Sequence, residues 1–250
     1  MKQMQAALIF FTRIPFWRIW DVPSAYFKRV VEFWPLIGWL TGGITAGVLW
    51  LVAQVLPFPT AVIIAFTARL LLTGALHEDG MADFLDGMGG GTSRSRILEI
   101  MKDSHIGTYG VIGLVIYYLL LFSLIISLPD VATACAVIFA ADTWSKCCAA
   151  QIINFLPYAR KEEEAKNKTV YTRMKPGGFA LCFIAGAAPL LLFPLQVLPA
   201  ALFPVVTTFC LILYMHKRIG GYTGDCCGAT FLLSELSFYL GAVLLIYHHC

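Results

Sequence analysis

Long apolar stretches separated by short polar loops are the feature that most constrains how this chain folds. Helices over these stretches rise ~1.5 Å per residue, so each is long enough, or nearly so, to cross a hydrocarbon core of roughly 30 Å. They lie at 31–56, 60–76, 109–128, 131–152, 177–194, 198–215 and 229–248. Only 13% of the residues are charged, whereas a soluble domain carries about 25%. The sequence therefore predicts an all-α, polytopic membrane protein with about seven transmembrane helices in one domain, residues 1–250.

The basic residues predict an orientation in the membrane. Of the 18 Lys and Arg residues, 16 lie in the segment 1–30 and in the loops 77–108, 156–176 and 216–228, and the alternate connections carry none. Because cytoplasmic loops are enriched in Lys and Arg, we predict a cytoplasmic N-terminus, and an odd number of spans agrees with this. The basic and aromatic segment 1–30 is predicted to lie at the membrane surface. The net charge of +3 is too small and dispersed to indicate nucleic-acid binding.

Four carboxylates within nine residues interrupt the apolar pattern in the polar segment 77–108. Asp79, Asp83 and Asp86 follow the spacing i, i+4, i+7, which places them on one helix face over about 10 Å, and Glu78 adjoins them. Like charges at this spacing repel, and charges beside a bilayer are costly, so a bound cation is favoured over a solvated helix end. Carboxylates that bind Mg²⁺ share it with substrate phosphates. The four residues are therefore candidate metal ligands for phosphoryl transfer.

Two further polar stretches each allow a structural and a functional interpretation. Arg94, Arg96 and Lys102 are either ordinary interfacial side chains or cations that neutralise phosphate oxygens opposite the metal. The glycine-rich stretch 220–230 carries Asp225 and is either a plain loop or a backbone cradle for phosphate that supplies another ligand. These alternatives stay open at this point.

Charged residues inside the predicted spans suggest a competing class of function. Asp142 and Lys146 are spaced i, i+4 in the fourth span, so they either pair with each other or face a cavity. Glu235 lies in the last span. An ion-coupled carrier would use such residues, but it is expected to have paired broken helices in two matching halves. The sequence contains no such pairing.

The motifs resemble those of the cobalamin synthase family, the adenosylcobinamide-GDP ribazoletransferases. The most specific block runs from residue 74 to residue 110, and the resemblance covers most of the chain in order. The matching residues are 12–15, 74–83, 86–87, 89–90, 96–104, 106–107, 109–110, 157–160, Gly221, 223–225, 228–229 and Glu235. The charged insert 161–168 and the paired Cys226 and Cys227 depart from the family pattern.

The resemblance implies an enzyme of the bacterial inner membrane, and the orientation predicted from Lys and Arg places its active site on the cytoplasmic side. It would join adenosylcobinamide-GDP to α-ribazole or its 5′-phosphate and release GMP, with Mg²⁺ required, in the last assembly step of the B12 nucleotide loop. A homo-oligomer, or association with other enzymes of the corrinoid pathway, stays open. Membrane CDP-alcohol phosphotransferases are the alternative, because they use a comparable acidic helix face, but their motif of D-G-x-x-A-R followed by G-x-x-x-D-x-x-x-D is absent.

Together, the residues and the resemblance give each candidate a role. Asp79, Asp83 and Asp86 would bind Mg²⁺, with Glu78 or Asp225 completing the site. The remaining phosphate charge would be carried by Arg94, Arg96 and Lys102. The ribazole hydroxyl needs a base, and both His77 and a free oxygen of Asp86 are candidates.

Overall fold

The computed structural model of the chain describes residues 1–160 and 170–249, and these ranges contain helices and loops but no β-strand. Their α-helices are α1 (Lys2–Phe11), α2 (Trp34–Val52), α3 (Phe58–Thr73), α4 (Leu76–Gly90), α5 (Arg94–Ile100), α6 (Thr108–Ile126), α7 (Val131–Ala150), α8 (Ile152–Phe155), α9 (Pro176–Ala187), α10 (Leu202–Ile219) and α11 (Gly224–His249). Short 3₁₀ segments lie at Phe16–Arg18, Ser24–Phe33, Ala188–Leu192 and Leu198–Ala201. The all-α prediction is confirmed.

Five helical segments in the described part of the chain are long and apolar enough to cross a membrane. They are Ser24–Val52, Thr108–Ile126, Val131–Phe155, Leu198–Ile219 and Gly224–Tyr247. A sixth span exists if the bent pair α3 and α4 counts as one. The prediction of a polytopic membrane protein is therefore confirmed.

The prediction of about seven spans exceeds what these residues provide, and the stretch 177–194 accounts for part of the difference. Its apolar helix extends only over Pro176–Leu192 and changes from α to 3₁₀ geometry after Ala187. Pro189 lies at the start of the 3₁₀ turn and has no N–H to continue an α-helical ladder. An odd number of spans was one argument for the predicted orientation. Because the described residues provide five or six spans, that argument no longer holds, and the predicted orientation rests on the distribution of Lys and Arg alone.

A break between α3 and α4 turns the acidic motif away from the span that precedes it. Gly74 and Ala75 both adopt left-handed backbone conformations, with φ of 66° and 55°, and the two helix axes differ by 89°. A Cβ atom at Gly74 would lie 2.1 Å from the Arg13 side chain, so any other residue would have to displace that side chain. The acidic residues share one helix, as their spacing predicted, and the bend separates this helix from the preceding span.

Glycines allow the central helices to approach closely. On α2, a Cβ atom at Gly38 or Gly42 would lie 2.9 Å from the Cα atom of Thr143 or the Cβ atom of Asp142, so α2 packs directly on α7. The N-terminal helix α1 is also part of this core, because it buries Ala6, Ala7 and Phe11. Small residues at helix crossings are typical of packing in membranes.

Four charged side chains meet in the interior of the bundle, and we name them the intramembrane charge cluster: Arg69, Asp142, Lys146 and Glu235. Arg69 pairs with Glu235 and lies 3.7 Å from Asp142, which in turn pairs with Lys146. Hydroxyl groups complete the cluster: Tyr117 and Tyr239 donate to Glu235, and Thr41 donates to Asp142. Of the two alternatives for Asp142 and Lys146, the structure shows that they pair with each other. Two cations thus balance two carboxylates, as buried charges require.

Candidate active site

A cavity lies where the N-terminal ends of α4 and α11 meet, and we name it the α4–α11 cavity. Its lining combines aromatic residues of α1 and α2 with polar residues of α4, α11 and the segment after α8. The lining residues are Phe10, Phe11, Val31, Trp34, Leu76, His77, Asp79, Gly80, Tyr158, Arg160, Tyr171, Gly224, Asp225, Cys227 and Gly228. A lining of both aromatic and polar side chains suits a ligand that combines an aromatic ring with phosphate groups.

Two glycines bring the two helix ends together. A Cβ atom at Gly80 of α4 would lie 3.2 Å from the backbone of Asp225, and one at Gly228 of α11 would lie 3.1 Å from the backbone oxygen of His77. The first N–H groups of a helix have no partner within the helix, and its N-terminus carries a partial positive charge. Two such ends beside one cavity favour a phosphate-bearing ligand there.

Two buried polar atoms on the cavity wall have no hydrogen-bond partner among the described residues. They are Nε2 of His77, whose side chain is 4% exposed, and Nε1 of Trp34, which is 1% exposed. The two rings lie 5.5 Å apart between centroids. Because buried polar atoms in proteins are almost always paired, this wall is suited to a polar ligand.

The acidic residues of α4 have different environments although they share a helix. Asp79 is exposed at the cavity, whereas Glu78 is buried, accepts a hydrogen bond from the Tyr118 hydroxyl at 3.2 Å and has an unpartnered Oε2. Asp83 is half-buried and does not line the cavity. A metal-binding role for Glu78 and Asp83 stays a prediction. The one predicted ligand that reaches the cavity from α4 is Asp79, and Asp225 joins it from α11.

Asp86 lies at the far end of α4 from the cavity and contacts the start of α6. Its Oδ2 accepts a hydrogen bond from the Gly107 N–H at 2.7 Å, and its Oδ1 accepts one from the Gly110 N–H at 2.9 Å. A Cβ atom at either glycine would lie 2.5 Å from an Asp86 oxygen. The carboxylate therefore caps α6, which satisfies N–H groups that the helix leaves free.

The three predicted phosphate-binding cations lie outside the cavity. The guanidinium of Arg94 donates from Nε to the Ile219 carbonyl at 2.8 Å and from Nη2 to the Ala159 carbonyl at 3.0 Å. Arg96 forms an exposed ion pair with Glu99 at 2.8 Å. Arg94 and the exposed Lys102 line a second, open depression, which we name the α5 groove. Its lining residues are Ser93, Arg94, Ser95, Leu98, Glu99, Lys102, Ala159 and Arg160.

Comparison with known proteins identifies the family. The family model for cobalamin-5-phosphate synthase (CobS) matches residues 3–243. The chain belongs to the cobalamin-5-phosphate synthase family. The family inferred from the motifs is therefore confirmed, and with it a transferase of cobalamin biosynthesis. The charged insert 161–168, which departs from the family pattern, lies outside the described residues.

Curated relatives carry one name, adenosylcobinamide-GDP ribazoletransferase. The protein of Leptospira interrogans is 34% identical over 248 residues, which cover 94% of this chain and 92% of the relative. That of Leptothrix cholodnii is 38% identical over 246 residues, with coverages of 94% and 92%. That of Vibrio parahaemolyticus is 36% identical over 244 residues, with coverages of 96% and 91%. No solved structure matches the chain.

The carboxylates of this family member suit a metal ion that is completed by substrate. Among the described residues, no three His, Cys, Asp or Glu side chains converge into a ready-made metal site. Mg²⁺ is commonly held through one or two carboxylates, with waters and substrate phosphates as its other ligands. Asp79 and Asp225 both line the cavity, so they are the two carboxylates available for such a partial site there.

Arg160 is the one Lys or Arg among the described residues that line the cavity, and it was not among the predicted site residues. It lies in the family motif 157–160, which was the available signal. The motif is fixed next to α11 because Ala159 N–H donates to the Tyr222 carbonyl at 2.8 Å and Tyr222 N–H donates to the Pro157 carbonyl at 2.9 Å. Arg160 donates to the Leu98 carbonyl at 2.8 Å and lines both the cavity and the groove.

Tyr158, the neighbour of Arg160 on the cavity wall, is a neutral donor. Burial raises its pKa to about 12, whereas the positive charge of Arg160 acts in the opposite direction and is the smaller effect. The hydroxyl therefore keeps its proton throughout the physiological range and can donate a hydrogen bond to a phosphate oxygen.

Proposed function

We propose that this family member joins adenosylcobinamide-GDP to α-ribazole 5′-phosphate, or to α-ribazole, in the α4–α11 cavity and releases GMP. The names of its relatives contain both substrates, and the family description, cobalamin-5-phosphate synthase, indicates a phosphorylated product. We place the reaction in this cavity because two helix N-termini meet there beside Asp79, Asp225 and Arg160. Phosphoryl transfer depends mainly on positioning and on stabilising phosphate charge, and this arrangement supplies both.

The proposed reaction is a displacement at phosphorus. A ribazole hydroxyl oxygen bonds to the phosphorus that carries the cobinamide, the bond from that phosphorus to the bridging oxygen breaks, and GMP leaves with the electron pair. The hydroxyl proton needs an acceptor. His77 is our choice because its Nε2 is unpartnered on the cavity wall, whereas both oxygens of the alternative, Asp86, accept backbone hydrogen bonds.

Fixed positive groups would hold the phosphate oxygens. The N-termini of α4 and α11 present backbone N–H groups and need no reorganisation when charge develops. Arg160, held by the Leu98 carbonyl, adds a full charge at the same wall, and Tyr158 adds a neutral donor. Positioned donors of this kind stabilise a transition state more than mobile surface cations do.

Mg²⁺ would be held by Asp79 and Asp225, with Glu78 and Asp83 on α4 as further candidates. A bound Mg²⁺ would neutralise diphosphate charge and make GMP a better leaving group. Asp86 is better explained as the cap of α6. The carboxylates otherwise repel a phosphate, so a cation requirement is consistent with an anionic substrate at this cavity.

We further propose that the protein lies in the bacterial inner membrane with the cavity open to the cytoplasm. The cavity forms from residues of the N-terminal segment, the loop that contains Arg160 and the start of α11. All three regions belong to or adjoin the segments that together carry most of the Lys and Arg residues. Such segments favour the cytoplasmic side.

The test uses purified protein in detergent with Mg²⁺, adenosylcobinamide-GDP and α-ribazole 5′-phosphate, and follows GMP and the corrinoid product by chromatography. Product formation should stop when EDTA is added and resume with excess Mg²⁺. Asp79→Asn and Asp225→Asn should each reduce kcat by about 10²–10³, the usual cost of one electrostatic group. The exposed Asp21 supplies the control, and Asp21→Asn should leave kcat unchanged.

Thermal unfolding of each variant shows whether a loss of activity is a loss of fold. Folded Asp79→Asn and Asp225→Asn proteins with wild-type turnover would exclude both carboxylates from the site. Release of CMP from a CDP-alcohol, with no GMP from adenosylcobinamide-GDP, would replace this proposal with the lipid phosphotransferase alternative.

A further inference from the structure

The α5 groove adjoins the α4–α11 cavity and shares one residue with it. Arg160 lines both, so a ligand with its reacting part in the cavity can extend past Arg160 into the groove. The cavity is partly enclosed by buried residues of α1 and α2, whereas the serines and Lys102 of the groove are exposed. The groove is therefore suited to a part of the substrate that does not react.

The groove is positively charged, in contrast to the cavity. Arg94, Lys102 and Arg160 line it, and Glu99 is the one acidic residue among its described lining residues. Glu99 is paired with Arg96 at 2.8 Å, which offsets its charge. An anion can therefore bind here without a metal ion, whereas in the cavity Asp79 and Asp225 require a cation for the same purpose.

Backbone contacts hold the two arginines of the groove in place. Arg94 donates to the carbonyls of Ile219 and Ala159, and Arg160 donates to that of Leu98. A guanidinium has five N–H donors, so both keep donors for a ligand. The hydroxyls of Ser93 and Ser95, 3.1 Å apart, lie at the same groove. Fixed guanidinium groups with nearby hydroxyls form a preorganised site for a phosphate monoester.

We infer that the α5 groove binds the 5′-phosphate of α-ribazole 5′-phosphate while the reacting hydroxyl lies in the cavity beside His77. This inference rests on the proposed function. The diphosphate of adenosylcobinamide-GDP needs the carboxylate-bound cation, so we place this diphosphate in the cavity. The 5′-phosphate takes no part in bond making or breaking, and the metal-free cationic groove matches its charge. Lys102 then sets the preference for the phosphorylated substrate.

The test compares kcat/KM for α-ribazole 5′-phosphate with that for α-ribazole, in detergent and in nanodiscs with anionic lipid. Lys102→Met should lower the ratio of the two values about tenfold, through the phosphorylated substrate alone, because one charge-assisted hydrogen bond is lost. Lys102→Arg should retain most of the ratio. Lys217→Met is the matched control, because Lys217 is an exposed cation that lines neither depression, and it should leave the ratio unchanged.

Other outcomes would overturn the inference and show why. If Lys102→Met lowers kcat/KM equally for α-ribazole 5′-phosphate and α-ribazole in detergent, the groove binds the GDP portion of adenosylcobinamide-GDP instead. If kcat/KM falls for both substrates only in nanodiscs with anionic lipid, the groove binds a lipid headgroup. An unchanged ratio in Lys102→Met would remove the 5′-phosphate from the groove. Wild-type protein that converts neither substrate would instead overturn the proposed function itself.

Discussion

The intramembrane charge cluster and the α4–α11 cavity use similar residues in opposite ways. In the cluster, Arg69 and Lys146 meet Asp142 and Glu235, and hydroxyl groups donate to both carboxylates. In the cavity, buried polar atoms of His77 and Trp34 have no partner among the described residues, and the exposed carboxylate of Asp79 lies at the wall. The charges of the cluster neutralise one another in ion pairs and so hold helices together, with Asp142 Oδ2 left without a hydrogen bond among the described residues. The unpartnered polar atoms at the cavity instead adjoin space that a ligand can occupy.

This difference also bears on the carrier hypothesis. That hypothesis drew on Asp142, Lys146 and Glu235, which are the residues that pair in the cluster. A transport pathway needs charged groups that face a water-filled route. The observed pairing therefore favours a structural role for them and leaves the chemistry to the cavity.

The largest effect is expected at the cavity. His77→Gln should reduce kcat by about 10²–10⁴, the usual contribution of a positioned general base, while the KM values change little. The matched control is His216→Gln, because His216 is exposed on α10 and does not line the cavity. Full turnover by a folded His77→Gln protein would remove His77 as the proton acceptor.

Breaking the cluster should affect stability. Arg69→Met leaves Glu235 without its cation in the membrane interior, and removing one member of a buried pair costs about 3–5 kcal/mol. Arg96→Met breaks the exposed pair with Glu99 and should cost about 0–1 kcal/mol. Unfolding in detergent measures both, and adding Glu235→Gln to Arg69→Met should recover part of the loss. Equal shifts for the buried and the exposed pair would contradict this account.

The geometry between α4 and α11 can be altered without changing any charge. Gly80→Ala places a Cβ atom 3.2 Å from the Asp225 backbone, so the helices must separate by a few tenths of an ångström. Because small misplacements of reacting groups are costly, we expect a roughly tenfold loss of kcat. A Cβ atom at Gly177 meets nothing within 4 Å, so Gly177→Ala should leave kcat unchanged. The same activity in both variants would show that this helix contact does not position the site.

The smallest effect is expected at the break before α4. Ala75 has a left-handed backbone with φ of 55°, which costs a residue with a Cβ atom about 1–2 kcal/mol. Ala75→Gly relieves this strain at an entropic cost of about 0.5–1 kcal/mol, so it should stabilise the protein by roughly 0.5 kcal/mol. Gly74→Ala should destabilise it, because the new Cβ atom would lie 2.1 Å from Arg13. If the denaturation midpoint rises in Ala75→Gly and falls in Gly74→Ala, the strained break is confirmed. Shifts in the same direction in both variants would refute it.

The helix that carries the acidic motif was predictable, but its surroundings were not. The spacing of Asp79, Asp83 and Asp86 correctly indicated one helix. It also suggested one shared metal-binding face, yet Asp86 caps α6 and Asp79 lines the cavity. The spacing of residues predicts which of them share a helix face, but it does not predict which neighbouring element packs against each turn of that helix.

The number of spans and the position of Arg160 show the same limit. Hydropathy assigned a full span to 177–194, but the α-helix there ends at Ala187. Arg160 lies in a loop without helical periodicity, and the backbone pairing of Pro157 and Ala159 with Tyr222 brings it to the cavity. Both outcomes depend on backbone geometry that a hydropathy pattern does not contain.

By itself, the sequence determined the class of protein, its family and the presence of an acidic helix, because composition, hydropathy and motif order are local properties of the chain. The tertiary structure decided which polar groups are satisfied and which face a cavity. Asp86 finds its partners 21 and 24 residues away, and Asp79 and Asp225 line one cavity because Gly80 and Gly228 let α4 and α11 approach closely. Which distant residues become partners depends on how the helices pack. Packing therefore decides whether a charged side chain is paired within the protein or is available to a substrate.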